Sequence, residues 1–206
     1  MKGLRTWAWI LFFGSLWGIN ELVSGEILFR NQVLSASVWL SAWAFFILAV
    51  ARGIINKPGT SALIAGIAAV FKMVNAPPFF CHLLAIFLLG VGFDVAASLL
   101  IKEGRKTALR QGLSGVLGAY GGYALFALLI TYIIRYQYWV NGGAAKVLNH
   151  IFVAGSLAAA VSAFLVPLGY MVGSLGWPVL ERHPRWSSIG AAAGLVILWT
   201  LGRMTG

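Results

Sequence analysis

TWAWILFFGSLWGINELVSGEIL, residues 6–28, has the length of a membrane-crossing helix and is interrupted by one deep charge, Glu21. A hydrocarbon core takes about 20 apolar residues to cross as a helix. A carboxylate placed inside it costs roughly 3 kcal/mol or more, so it needs a partner or a wet cavity. The run therefore predicts a membrane helix and marks Glu21 as a site residue.

Six further apolar runs follow, at Val33 to Ile54, Ser61 to Asn75, Phe79 to Ile101, Gly112 to Arg135, Val147 to Leu175 and Ser187 to Leu201. The third and the last of the seven are short. The chain is 60% hydrophobic with mean hydropathy +0.88, which leaves no sequence for a soluble domain. Period-two alternation is absent, and a helical bundle satisfies its backbone within lipid. The expectation is one all-α integral membrane domain over residues 1–206, a bundle of six to seven transmembrane helices. Breaks fall at Asn56-Lys-Pro-Gly, Asn75-Ala-Pro-Pro, Lys102-Glu-Gly-Arg-Lys, Asn141-Gly-Gly and Glu181-Arg-His-Pro, which are rich in turn formers. The opening run is too long for a signal peptide and lacks a small-x-small cleavage site before Glu21, so it reads as the first helix.

A net charge of +10 raises nucleic acid as a partner, but the basic residues sit at span ends and form no stripe with interleaved aromatics, which excludes it. Their bias sets orientation instead. With the N-terminus in the cytoplasm, Lys2, Arg5, Arg52, Lys57, Lys102, Arg105, Lys106, Arg110, Arg182 and Arg185 lie inside. Arg30, Arg135, Lys146 and Arg203 lie outside, and Lys72 falls within a span. That asymmetry predicts a multi-pass inner-membrane protein with a cytoplasmic N-terminus. Trp7, Trp9, Trp177 and Trp186 fit the inner aromatic belt, and Tyr132, Tyr136, Tyr138 and Trp139 the outer one.

Gly14, Gly18, Glu21 and Gly25 recur at helical spacing and share one stripe. Ala65, Ala69, Lys72 and Ala76 repeat the arrangement in the third span, with Asn75 a turn beyond the lysine, and Gly90, Asp94 and Ala97 do so in the fourth. Small residues on a stripe allow close helix packing, whereas the embedded charges point to function or to a buried ion pair. With the N-terminus inside, Glu21, Lys72, Asn75, His82 and His150 all fall toward the outer face. They are candidates to line one outward-opening polar cavity for a small-molecule ligand. Asp94 lies deeper, and either binds ligand or hydrogen-bonds helix backbone. Histidines near span boundaries are cheap, so His82 and His150 have a structural reading as well. Glu26 and Arg30 read as a surface pair. Gly112, Gly115, Gly118, Gly121 and Gly122 read as close packing, because no GxxxxGK[ST] motif accompanies them.

Cofactor and catalytic motifs are missing. Cys81, His82, Glu21 and His150 are suitable metal-ligand types, but no HxxxH, HExxH or CxxC spacing presents two on one face, so no metal is expected. The single cysteine excludes an internal disulfide, and no GxSxG or Ser/His/Asp spacing supports acyl transfer. A carboxylate beside a lysine can instead anchor the ammonium and carboxylate, or other polar groups, of a small ligand.

The run Gly14 to Glu21, the short third span ending Lys72-Met-Val-Asn75 and the fourth span with Asp94 together resemble the substrate-binding components of energy-coupling factor transporters and related membrane proteins. The resemblance implies six helices that bind a vitamin or metal from the external side, a transmembrane coupling subunit as partner and separate ATPase subunits. The family's small-xxx-small motif in helix one meets the coupling subunit, which makes Gly14 and Gly18 the contact candidates here. That motif is alanine-based in the family, and this chain carries a seventh apolar segment. Lys2-Gly3-Leu4 stands where the metal-specific branch has a histidine, which disfavours nickel or cobalt. The leading expectation is a substrate-binding subunit of a small-molecule uptake transporter. The alternatives are an accessory or assembly subunit and an intramembrane enzyme acting on a lipid.

Overall fold

The computed structural model describes residues 2–205 apart from 34, 77–78, 103–106 and 183, and leaves the side chains of Lys2, Leu4, Phe29, Trp177, Val179 and Leu180 undescribed. The prolines of the second break, Arg105 and Lys106 of the basic loop, His183, and the side chains of Lys2 and Trp177 thus lie outside the described residues.

Every regular element among the described residues is helical: α1 (Lys2–Arg30), α2 (Ala36–Ile54), α3 (Thr60–Asn75), α4 (Phe80–Leu100), α5 (Ala108–Leu128), α6 (Gln137–Val140), α7 (Gly143–Asn149), α8 (Gly155–Arg182) and α9 (Pro184–Thr205). Two π turns, Leu129–Ile133 and His150–Ala154, extend α5 and precede α8. Each of the seven apolar runs becomes helix. Five helical stretches are long and apolar enough to cross a membrane: Ala36–Ile54, Phe80–Leu100, Ala108–Ile133, Gly143–Gly176 and Pro184–Thr205. The Thr60–Asn75 helix is apolar but shorter. α1 has the length, and its second half carries Asn20, Glu21, Ser24 and Glu26.

Large apolar side chains cover the outside of the bundle, among them Phe164 at 75% exposure, Leu175 at 70% and Leu99 at 68%. Water would penalise such a surface, whereas lipid tails solvate it at no cost. Between helices, small residues set the spacing. Gly92 faces the backbone of Gly118 and Gly122, while Gly112 and Gly115 face the carbonyls of Ala163 and Ser162, which locks α5 between α4 and α8. Lipid is as apolar as leucine, so this close van der Waals approach holds the helices together in place of hydrophobic exclusion. Gly169 and Gly173 bring α8 against α2 at Ala49 and Val50 in the same way.

The contact order along each pair shows that α1, α3 and α9 run parallel to one another, as do α2 and α8. Ser15 meets Trp199, Gly14 meets Ile67, and Gly18 meets Phe71. Asn56, after α2, meets the C-terminal end of α4 at Ile101 at one end of the bundle. Phe79, ahead of α4, and the α6–α7 segment come together at the other.

Candidate functional site

The stripe on α1 packs against α3. A Cβ built on Gly14 would lie 2.6 Å from Ile67 Cβ, and one on Gly18 would lie 2.6 Å from Phe71 Cβ, so only glycine lets these helices approach so closely. α3 of the same chain packs against the face that carries Gly14 and Gly18, the residues expected to meet a coupling subunit. This packing carries Lys72 to Glu21. The ammonium Nζ lies 3.3 Å from Glu21 Oε2 and 3.5 Å from the Glu21 carbonyl, with side-chain exposures of 14% for Lys72 and 8% for Glu21. Trp17 Nε1 donates to Glu21 Oε1 at 3.2 Å. Charge-assisted hydrogen bonds tighten to about 2.7–2.9 Å when ideal, so the pair is loosely held.

A cavity of about 480 Å³ opens beside this pair, at the end of the bundle opposite Lys57 and Ile101. Glu21 and Lys72 stand on the α1–α3 wall, and Cys81, His82 and Ala85 of α4 continue it. The far wall is aromatic, with Tyr123 and Phe126 from α5, Tyr136, Tyr138 and Trp139 from the segment after it, and His150 from the second π turn. His150 stacks on Tyr123 with centroids 4.7 Å apart and planes at 25°, and meets the edge of Trp139 at 5.1 Å and 85°. Phe126 completes the cluster at 5.5 Å from His150. The Tyr123 hydroxyl shares a hydrogen bond of 3.0 Å with Ser41 Oγ and donates to the Ser37 carbonyl at 3.3 Å, which fixes the ring against α2. π turns widen a helix by one residue and recur at functional sites; here the two bracket the segment that supplies Trp139, and the second begins at His150.

Of the six ligand candidates, Glu21, Lys72, His82 and His150 line this one cavity. Asn75 does not: its Nδ2 donates to the Phe71 carbonyl at 2.8 Å, and its side chain abuts Gly202 of α9. Asp94 does not either. Its Oδ2 accepts the Gly59 N–H at 2.7 Å and its Oδ1 the Ser61 N–H at 2.8 Å, so both oxygens cap the N-terminus of α3 from the neighbouring helix. A helix N-terminus leaves its first N–H groups without intrahelical acceptors and favours a negative charge, which accounts for an acid at this depth without a ligand.

Beside Asp94 lies Arg52, which the charge bias counts among the cytoplasmic basic residues. Arg52 is 1% exposed, donates to Ser98 Oγ at 2.6 Å and to the Asp94 carbonyl at 3.3 Å, and also reaches the Lys57 carbonyl. Four candidate metal ligands, Glu21, Cys81, His82 and His150, face the cavity. Among the described residues no three of them lie close enough to share an ion.

Sequence reasoning missed the aromatic wall. Tyr136, Tyr138 and Trp139 read as an interfacial belt, yet Trp139 is 8% exposed and packs edge-on to Phe126 at 5.1 Å. Tyr123 and Phe126, three residues apart beside Gly122, carried a signal: a large-ring face next to a close-packing glycine. The surface pair between Glu26 and Arg30 is present at 2.5 Å. No family model, curated protein or solved structure matches the chain, so the functional reading rests on the cavity and its walls.

Proposed function

We propose that this chain is the membrane-embedded substrate-binding subunit of a small-molecule uptake transporter. Its ligand is held in the cavity between the Glu21–Lys72 pair and the aromatic wall. The observation that supports this reading is a space of about 480 Å³ at one end of a close-packed bundle, with a buried ion pair in its lining. Small-molecule pockets commonly run to about 300–1,000 Å³, with apolar walls and a few placed polar groups. A purely structural ion pair has no need of that space.

The positive-inside bias places the basic connections in the cytoplasm and the cavity mouth outside, in a cell membrane crossed six or seven times with α1 and α3 included. The chain carries no nucleotide-binding motif, so energy comes from partners: a transmembrane coupling subunit and separate ATPase subunits. Those partners meet a face other than the Gly14–Gly18 stripe, which α3 occupies.

Mass spectrometry of compounds retained by the detergent-purified chain tests the proposal. A stoichiometric small molecule is expected, and it slows alkylation of Cys81, which lies in the cavity wall. Absence of any retained or protecting compound would count against the reading.

A further inference from the structure

The charge balance and shape of the cavity narrow the class of ligand. Asp, Glu, Lys and Arg are represented in its described lining by Glu21 and Lys72 alone. The site is thus electrically neutral as a pair, and a ligand with one net charge would leave a charge uncompensated at low dielectric. A neutral ligand can hydrogen-bond to the pair but compensates neither of its charges. A zwitterion avoids both penalties.

The spacing adds a second constraint. The opposite charges of the pair are 3.3 Å apart. A ligand whose ammonium and carboxylate sit on one carbon presents opposite charges at comparable separation. It can lie antiparallel to the pair, its ammonium on Glu21 and its carboxylate on Lys72, in a compact square of alternating sign. Among the described residues Lys72 makes two long hydrogen-bond contacts, at 3.3 and 3.5 Å, from an ammonium that has three N–H donors. The aromatic wall across the cavity sets the third feature, because the His150–Tyr123 stack and the edge of Trp139 favour a flat ring over a branched chain.

We infer that the ligand is an α-amino-acid-like zwitterion bearing a planar ring, an assignment that rests on the binding-subunit reading above.

The test uses the full chain in detergent and its single cysteine as reporter. N-ethylmaleimide alkylation of Cys81 is followed by intact mass with L-tryptophan, L-tyrosine or L-phenylalanine present. Indole-3-propionate lacks the ammonium, tryptamine lacks the carboxylate and L-alanine lacks the ring. At least one ring zwitterion is expected to protect. The three incomplete analogues should need about tenfold higher concentration or more, the cost of one lost charged hydrogen bond or of the ring contacts.

Equal protection by indole-3-propionate, tryptamine or L-alanine overturns the assignment, as does failure of all three ring zwitterions at millimolar concentration. The two readings separate on the retained compound. A singly charged or ringless compound that protects Cys81 removes the ligand class and keeps the binding site. No retained compound and no protection removes both. Lys72→Met should abolish the advantage of the ring zwitterions over tryptamine; if that variant folds poorly, Lys72→Arg, which keeps the cation, should retain the advantage, and its loss there would also overturn the assignment.

Discussion

Replacing Asp94 by asparagine isolates what a buried acid does when it faces a helix end instead of a ligand. In the wild-type chain each carboxylate oxygen accepts one backbone N–H, at 2.7 Å from Gly59 and 2.8 Å from Ser61. Asparagine keeps one oxygen and turns an NH₂ donor toward the other N–H, so one bond is lost and a donor meets a donor. A hydrogen bond to a charged acceptor contributes about 1.5–3 kcal/mol. Loss of a negative charge from a partly buried helix N-terminus removes roughly 0.3–2 kcal/mol more. Asp94→Asn should therefore destabilise the chain by about 2–5 kcal/mol, and Asp94→Ala by more, since it removes both acceptors. Unfolding by SDS titration in mixed micelles, followed by circular dichroism, measures the loss. The Cys81 alkylation rate of the folded protein should stay near wild type, because the cavity is at the other end of the bundle. A stability change below about 0.5 kcal/mol would refute the capping argument, being within the range of surface substitutions. Altered Cys81 protection by L-tryptophan at unchanged stability would return Asp94 to the ligand site.

Gly14→Leu and Gly18→Leu should destabilise the fold by at least 1–3 kcal/mol, roughly the overpacking range, in the same unfolding assay, while Gly3→Leu, with open space around it, should not. Glu21→Gln and Lys72→Met should each weaken folding by about 3 kcal/mol, and the double variant by clearly less than the sum. Strict additivity in that cycle would show that the pair does not interact. For orientation, cysteines placed at Lys57 and Gln137 in a Cys81→Ser background should react differently with an impermeant maleimide on intact cells. Gln137 should label and Lys57 should not, and the reverse pattern would invert the topology.

Much of the fold was legible because apolar run length and turn chemistry act locally: each of the seven runs became helix, six of them within about four residues of their expected bounds, while the Val147 to Leu175 run continues as helix to Arg182. The number of membrane crossings was less so. The polar second half of α1, Asn20 to Glu26, and the 16 residues of α3 set these two helices apart from the five that are long and apolar enough to cross a membrane. The Glu21–Lys72 juxtaposition was readable from two stripes whose small residues allow the same close contact. Asp94 and Arg52 were not readable as neighbours of a helix end, because that depends on α4 lying antiparallel to α3 and in register with it. Trp139 and His150 come together only through two π turns, whose extra residue leaves no trace in hydrophobic periodicity. Asn75 shares the helix of Lys72 but lies three positions on, where the helix has turned toward α9.

The parallel pairing of α1 with α3 has a consequence for how the chain is made. Parallel neighbours cannot be joined by a tight hairpin, so α2 must be completed between them, and Glu21 precedes its lysine by 51 positions. At a synthesis rate of about 5–20 residues per second, the carboxylate waits roughly 3–10 s before its counter-charge exists. Throughout that interval α1 is an apolar helix with an uncompensated acid, a poor candidate to settle alone in lipid. In the topology proposed above, with α1 crossing the membrane, the emergence of α3 is the event expected to commit it to the bilayer. A ribosome stalled before residue 72 should leave the first helix extractable, while one stalled well beyond it should not.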